Sequence, residues 1–349
     1  MNFYHILYNP YASSGKGEEK AKELSQMLEK SSITYHDMTK IEDLQGFINS
    51  LDKDESIVIC GGDGTLNRFI NSVATDKTEN EIYCYCTGSG NDFLRDIGKA
   101  DENKPVCITK YLKNLPEVTV KGKTYKFLNN ASFGLDGYCC EEADRQRNEK
   151  GKSSNYALLA IKGLLFAYKP RNAVVIVDGV KKEYKKVWLA PTMNGRFFGG
   201  GLMSAPGQNR LNKEHTVSVV AMCNVGKLKA LLIFPSMFKG KHIKYKDNIN
   251  VIEGHEITVI YDKPAPMQID GETILDVTRC DIKTSNLLLF AEIGIFQQYY
   301  HFCHQHHCHQ HCGISFPGYC EKDQDDNIKS HGDVGNQLGT LACSTLKHK

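Results

Sequence analysis

One short stretch, Gly61-Gly62-Asp63-Gly64-Thr65, constrains this chain more than any other. It follows an apolar run over residues 56–60 that predicts a buried strand, and it precedes a helical pattern over 66–73. Glycines at such a junction let the backbone approach a ligand closely and adopt positive φ. Free N–H groups where a helix begins favour phosphate. An acidic side chain inside a phosphate loop is out of place unless it handles a cation or a proton. A plain tight turn is the bland alternative, and the strand–loop–helix context argues against it.

Two further turns share this character. Asn9-Pro10-Tyr11-Ala12-Ser13-Ser14-Gly15-Lys16-Gly17 follows an apolar strand over 3–8 and opens a helix over 16–30. It lacks the G-x-x-x-x-G-K-[ST] spacing of a Walker loop. Gly88-Ser89-Gly90-Asn91-Asp92-Phe93 follows a strand over 82–86. A strand over 33–36 and a helix over 41–51 complete an alternation that predicts a parallel sheet. Three glycine-rich turns then fall at strand C-terminal ends, where open α/β sheets bind ligands.

The texture changes after residue 115. Strand-like runs occupy 117–121, 124–133, 172–177, 181–193, 216–222, 249–252 and 257–261, with helical stretches over 151–168 and 226–238. The expected fold class is an α/β N-terminal domain with a parallel sheet (1–115) and a β-rich, mainly antiparallel second domain (116–292). Residues 293–349 form a His/Cys-rich tail without a core pattern, expected to be disordered. Its segment His301-Phe302-Cys303-His304-Gln305-His306-His307-Cys308-His309-Gln310-His311-Cys312 is rich in metal-binding side chains. The cysteine spacing matches no standard zinc finger, so no dedicated metal site is assigned.

Composition excludes several classes. The 349 residues carry 43 basic and 41 acidic side chains, a net charge of +2, which argues against a general nucleic-acid binder. No run of about 18 uncharged apolar residues predicts a membrane span. The N-terminus lacks a secretory pattern, so a cytoplasmic setting with reduced cysteines is expected.

The motif order resembles the diacylglycerol kinase catalytic-domain family, which includes bacterial lipid kinases, sphingosine kinases and ceramide kinases. The matching pieces are Asn9-Pro10 with Ser14-Gly15, Gly61-Gly62-Asp63-Gly64-Thr65-Leu66-Asn67, and Gly88-Ser89-Gly90-Asn91-Asp92-Phe93-Leu94-Arg95. Asn130-Ala131-Ser132-Phe133-Gly134-Leu135-Asp136, Gly199-Gly200-Gly201 with Ala205-Pro206, and Gln268-Ile269-Asp270-Gly271-Glu272 follow in order. The resemblance implies an ATP- and Mg2+-dependent transfer of phosphate onto a lipid hydroxyl, diacylglycerol foremost. Catalysis in such a transfer is mostly positioning and charge neutralisation.

By this resemblance Asp270 is the general base and Asp63 serves magnesium or acceptor activation. Asn9, Pro10, Ser14, Gly15, Gly61, Gly62, Gly64, Thr65, Leu66, Asn67 and Ser89 would hold the nucleotide, with Thr39 and Glu272 as neighbours. Taken alone, Asp270-Gly271 is equally an ordinary hairpin turn, and Asp92 with Arg95 equally an ion pair at a helix start. Some family members bind a structural magnesium in an Asp-bearing turn after the Ala-Pro. Here Gly207-Gln208-Asn209-Arg210-Leu211-Asn212-Lys213-Glu214-His215 has no aspartate, so that site is not expected.

A lipid substrate requires contact with a membrane surface. The best candidate is 225–246, which holds six lysines, Lys227, Lys229, Lys239, Lys241, Lys244 and Lys246, and no acidic residue. A core helix with solvated lysines is the competing reading. An NAD kinase-like enzyme, or a catalytically weak nucleotide- or lipid-binding protein, is the functional alternative. Oligomeric state stays open, a homodimer included.

Overall fold

A computed structural model describes residues 3–28, 31–87, 91–150 and 156–285. Ser89 with its two flanking glycines, the start of the helix expected over 151–168, and the His/Cys-rich tail lie outside the described residues.

The first half alternates strand and helix. β1 (Phe3–Tyr8) leads into a helical turn, α1 (Ala12–Gly15), then α2 (Gly17–Lys22) and α3 (Leu24–Met27). The single helix expected over 16–30 is therefore two short pieces, and α1 contains Ser13 and Ser14 at φ of 54° and 60°. Next come β2 (Ser32–Asp37), α4 (Leu44–Asn49), β3 (Ser56–Gly61), α5 (Asp63–Ser72), β4 (Ile82–Cys86), α6 (Asp92–Asp96) and β5 (Val106–Cys107). The sheet order is β2-β1-β3-β4-β5, parallel except for β5. Successive side chains alternate faces, so Ile6, Val58 and Cys60 pack with Ala21 and Leu24 on one side. Leu7, Ile57 and Ile59 pack with Leu66, Phe69 and Ile70 of α5 on the other. Covering both faces is what a parallel sheet requires.

The second half is β-rich. It runs β6 (Glu117–Val120), β7 (Lys123–Lys126), β8 (Asn130–Gly134), α7 (Leu135–Lys150), α8 (Tyr156–Lys162), β9 (Arg171–Val177), β10 (Val180–Val187) and β11 (Leu189–Met193). Then follow β12 (Phe197–Phe198), β13 (Leu202–Met203), β14 (Val217–Met222), α9 (Lys227–Met237), β15 (Ile249–Gly254), β16 (Glu256–Ile269) and β17 (Glu272–Lys283). Ten strands form one antiparallel sheet, with β16 central. Pro264 and Pro266 lack the N–H a ladder needs, and register shifts fall on either side of Ala265. The first half of β16 therefore pairs with β9 and the last residues, Met267 to Ile269, pair with β8.

Three expectations need correction. The run 124–133 is two strands, β7 and β8, and 181–193 is two strands, β10 and β11. The sixteen-residue helix α7 stands where no helix was expected. Its buried side includes Leu135, Cys139 and Ala143, small for a core face, and it packs with α8, α9 and Trp188. Gly137 lets it lie against β16, because a Cβ there would collide with the Pro266 carbonyl.

Candidate active site

A cavity of about 1220 Å³ collects residues from both halves of the chain. Its lining includes two glycine-bearing loops. Asn9 and Ser14 come from the turn after β1, and Gly62, Asp63, Gly64 and Thr65 from the β3–α5 junction. α5 opens here, and the first turn of a helix presents N–H groups that favour anions. The Ser13 hydroxyl donates to the Thr87 carbonyl, tying the first loop to the end of β4. Gly61 is a glycine for a packing reason, since a Cβ would strike the Thr65 side chain.

Asp63 is the first residue of α5. Its Oδ2 accepts from the Asp92 N–H at 2.8 Å and its Oδ1 from the Phe93 N–H at 3.3 Å. Desolvation, reinforced by the Asp92 and Asp270 charges, pushes its carboxyl up to about 6 against the pull of those two donors. Asp270 and Gly271 form the two-residue turn between β16 and β17, with φ of 47° and 95°. Asp270-Gly271 is thus a positive-φ hairpin turn, and its carboxylate points inward. Oδ1 accepts from the N–H groups of Asn129 and Asn130 at 2.8 and 3.0 Å. Oδ2 accepts from the Leu128 N–H and from Asn67 Nδ2 at 2.9 Å. Desolvation raises the Asp270 carboxyl and these donors oppose the rise.

The other expected residues divide. Glu272 lines the cavity. Asn67 reaches it only through Asp270. Leu66 is core. Pro10, Gly15, Gly61 and Thr39 are not among the cavity-lining residues, and the Thr39 N–H and hydroxyl are both spent on Asp37, at 2.9 and 2.6 Å. Arg95 pairs with Asp92 at 3.2 Å, while Asp92 Oδ2 accepts from the Gly200 N–H at 2.7 Å, anchoring the Gly199-Gly200-Gly201 loop.

Sequence reasoning missed several lining residues. Lys16, Lys20, Arg68 and Arg147 bring positive charge to the cavity. The first three sit within two turns of a glycine loop, which is the signal that could have found them. Asp136 lies within a quoted motif but received no role. It is desolvated up to about 6, Gln268 donates to it at 3.2 Å, and its Oδ1 is buried without a partner. The cavity also has an apolar lining, with Leu135, Cys139, Ala157, Ala160, Leu189, Phe198, Leu202, Phe234 and Phe238. The turn without aspartate is closed by Asn212, whose Nδ2 donates to the Asn209 and Thr216 carbonyls at 2.8 and 2.9 Å.

Comparison with known proteins agrees with this layout. The family model described as the diacylglycerol kinase catalytic domain matches residues 4–120. The one described as the YegS C-terminal NAD kinase beta sandwich-like domain matches residues 129–283. YtlR of Bacillus subtilis, which carries a provisional lipid-kinase name, is 24% identical over 297 residues, covering 78% of this chain and 94% of that protein. A diacylglycerol kinase of Mycobacterium tuberculosis is 24% identical over 197 residues, 54% of this chain and 62% of that one. In fold, the chain is similar to a provisionally assigned diacylglycerol kinase of Bacillus anthracis. That structure has a TM-score of 0.57 and 20% identity, with 81% of this chain and 92% of that chain covered.

Proposed function

We propose that this chain, which belongs to the diacylglycerol kinase catalytic-domain family, transfers the γ-phosphate of ATP to a lipid hydroxyl, with diacylglycerol as acceptor and phosphatidic acid as product. The observation that carries this reading is the mixed lining of the cavity. Glycine-loop residues, Asp63 and Asp270 share it with an apolar wall of Leu, Phe and Ala side chains. A dinucleotide acceptor would leave that apolar wall uncovered, which disfavours the NAD kinase alternative.

In the transfer, the acceptor oxygen bonds to the γ-phosphorus, the bond to the β–γ bridging oxygen breaks, and ADP leaves. The hydroxyl proton passes to a carboxylate and on to solvent. Asp270 already accepts four hydrogen bonds, so its position counts for more than its basicity in handling the hydroxyl. Asp63 stands nearer the phosphate loops.

Among the described residues no group of three or more His, Cys, Asp or Glu is arranged to hold a metal by itself. Asp63 and Asp92 nonetheless fit magnesium delivered with ATP, because their mutual repulsion in a desolvated site would be relieved by a cation. When bound, that ion supplies neutralisation of phosphate charge.

Access to lipid would come from the outer faces of α8 and α9. Leu158, Leu228 and Leu232 are 64%, 78% and 74% exposed, as is Phe166 at 78%, while Ala157, Ala160 and Phe234 on the same elements line the cavity. Lys227 ties α9 to the π-helical turn Gly163–Ala167, which follows α8 and holds Phe166, by donating to the Leu165 carbonyl at 3.1 Å. Exposed apolar side chains among lysines suit an anionic bilayer surface. No helix among the described residues is long and apolar enough to cross a membrane.

Incubation with labelled ATP and a panel of diacylglycerol, sphingosine, ceramide and NAD tests the proposal. Label in phosphatidic acid is expected and should be lost in Asp63→Asn. Label in NAD, or in nothing, would overturn it.

A further inference from the structure

Arg210 lies in a polar turn between β13 and β14 that composition alone reads as a solvated loop. Its side chain is nevertheless 3% exposed. Nε donates to Asp96 Oδ2 at 2.6 Å. Nη1 donates to the Leu128 carbonyl at 3.0 Å and Nη2 to Asn129 Oδ1 at 3.1 Å. The guanidinium also stands 4.7 Å from the centre of the Phe93 ring. A planar fork with five donors can span partners on different elements, which a lysine ammonium cannot do in the same way.

These partners belong to two particular segments. Phe93 and Asp96 are in α6, whose first N–H groups, those of Asp92 and Phe93, bond the Asp63 carboxylate. Leu128 and Asn129 begin the segment whose N–H groups, with that of Asn130, bond the Asp270 carboxylate. One guanidinium therefore grips the far side of both carboxylate cradles. We propose that Arg210 is a positioning residue that sets the placement of Asp63 relative to Asp270 by clamping the two backbone segments that hold them. The proposal rests on the reading of this cavity as the phosphotransfer site.

The surroundings are built for it. Gly195 packs against the fork, because a Cβ there would collide with Arg210 Nη2. The Asn129 carbonyl accepts from the Asn194 N–H at 2.9 Å, and Asn194 Nδ2 donates to the Leu128 carbonyl at 3.0 Å, so the gripped segment is fixed from a second side. Asp96 is desolvated, which would raise it, but the Arg210 and Arg196 guanidiniums hold it below its ordinary range and keep the pair ionised. Arg196 is the lesser partner: it is 37% exposed, and the hydrogen bonds of its guanidinium all go to Asp96. It does not reach the Asp270 cradle. Arg210 touches neither Asp63 nor Asp270, so it acts through the backbone.

Two variants of the full chain test this, Arg210→Lys and Gly195→Ala. The first keeps the charge and loses the fork; the second keeps the fork and displaces it. Amide hydrogen exchange reads local opening without needing turnover. In both variants, amides 92–93 and 128–130 are expected to exchange at least about tenfold faster, with those of β1 and β3 unchanged. In the lipid kinase assay kcat is expected to fall about tenfold or more, with KM for ATP within about threefold, since misplaced reacting groups cost rate before they cost binding. Loosening of only one segment, of neither, or of the whole chain would overturn the clamp, as would a wild-type kcat in Arg210→Lys. If the wild-type chain phosphorylates no lipid, the functional reading falls while the exchange data still decide the clamp.

Discussion

Asn67 donates its side-chain amide to the carboxylate of Asp270 at 2.9 Å across a sequence separation of 203 residues. This hydrogen bond joins α5, the helix that follows the Gly61–Gly64 loop, to a hairpin near the end of the described residues. It makes the Asp270 carboxylate an acceptor for four donors, three of them backbone N–H groups. Asp270 is thus a structural keystone as well as a candidate catalytic group.

Asp270→Asn is expected to lower turnover by two or more orders of magnitude. It also places an amide NH2 where two N–H donors converge, leaving buried donors unpaired at a cost of about 2–4 kcal/mol. Thermal unfolding should therefore show a clear loss of Tm, alongside lost activity. A variant with full Tm would mean that the donors find other partners. Asn67→Ala removes one donor and should cost about 1 kcal/mol.

Asp63→Asn should change stability in a pH-dependent way. The folded-state carboxyl is raised to about 6, above its ordinary value of 3.8, so the fold favours the protonated form. Its ionisation therefore weakens the fold as pH rises from about 4 to about 6, and the penalty persists above that. The variant keeps one acceptor oxygen for the two N–H donors of Asp92 and Phe93, which costs about 1–3 kcal/mol at any pH. It escapes the ionisation penalty, so relative to wild type it should gain on the order of 1–2 kcal/mol between pH 4 and pH 7.5. Activity should fall by orders of magnitude at every pH. In the wild-type chain, kcat/KM for ATP should show an acid limb near pH 6. Denaturation at the two pH values checks the first claim and a pH–rate profile the second.

Leu228→Gln with Leu232→Gln tests the outer face of α9. Both side chains are exposed, so stability should change by no more than about 0.5 kcal/mol. Binding to vesicles containing anionic lipid should weaken, and sedimentation with such vesicles measures it. Turnover of a short-chain acceptor in solution should be retained. Equal loss of both activities would assign these leucines to the fold.

The parallel sheet was legible because β1, β2, β3 and β4 are short apolar runs closed by turn residues, and neighbours among them pair in parallel. The β3–α5 junction was legible for the same reason. α7 was not, because its buried face is Leu135, Cys139 and Ala143 and its remaining surface is charged, so the apolar period is weak. β17 was hidden by Glu272, Asp276, Arg279 and Asp281, since Ile274, Val277, Cys280 and Ile282 are its core-facing apolar residues and do not alternate strictly. The Asn67–Asp270 bond and the Arg210 fork were invisible for a different reason. Each is a contact between segments far apart in sequence, and polar side chains in loops carry no periodicity that reveals a buried partner.

The apolar lining of the cavity offers a test of acceptor binding that leaves the glycine loops alone. Ala157 contributes to that lining from α8, a turn before the exposed Ile161. Replacing it with Phe adds a ring to space that an acyl chain would fill. A longer chain loses more apolar contact, at about 0.8 kcal/mol per displaced CH₂. Ala157→Phe should therefore raise KM for long-chain diacylglycerol by about tenfold or more while leaving a short-chain acceptor within about threefold. KM for ATP should stay unchanged, because the loop that carries Gly62, Gly64 and Thr65 is left intact. Steady-state kinetics with acceptors of graded chain length make the comparison. If all acceptors suffer equally, the ring blocks the hydroxyl and not the chain, and the apolar wall is not the acyl site.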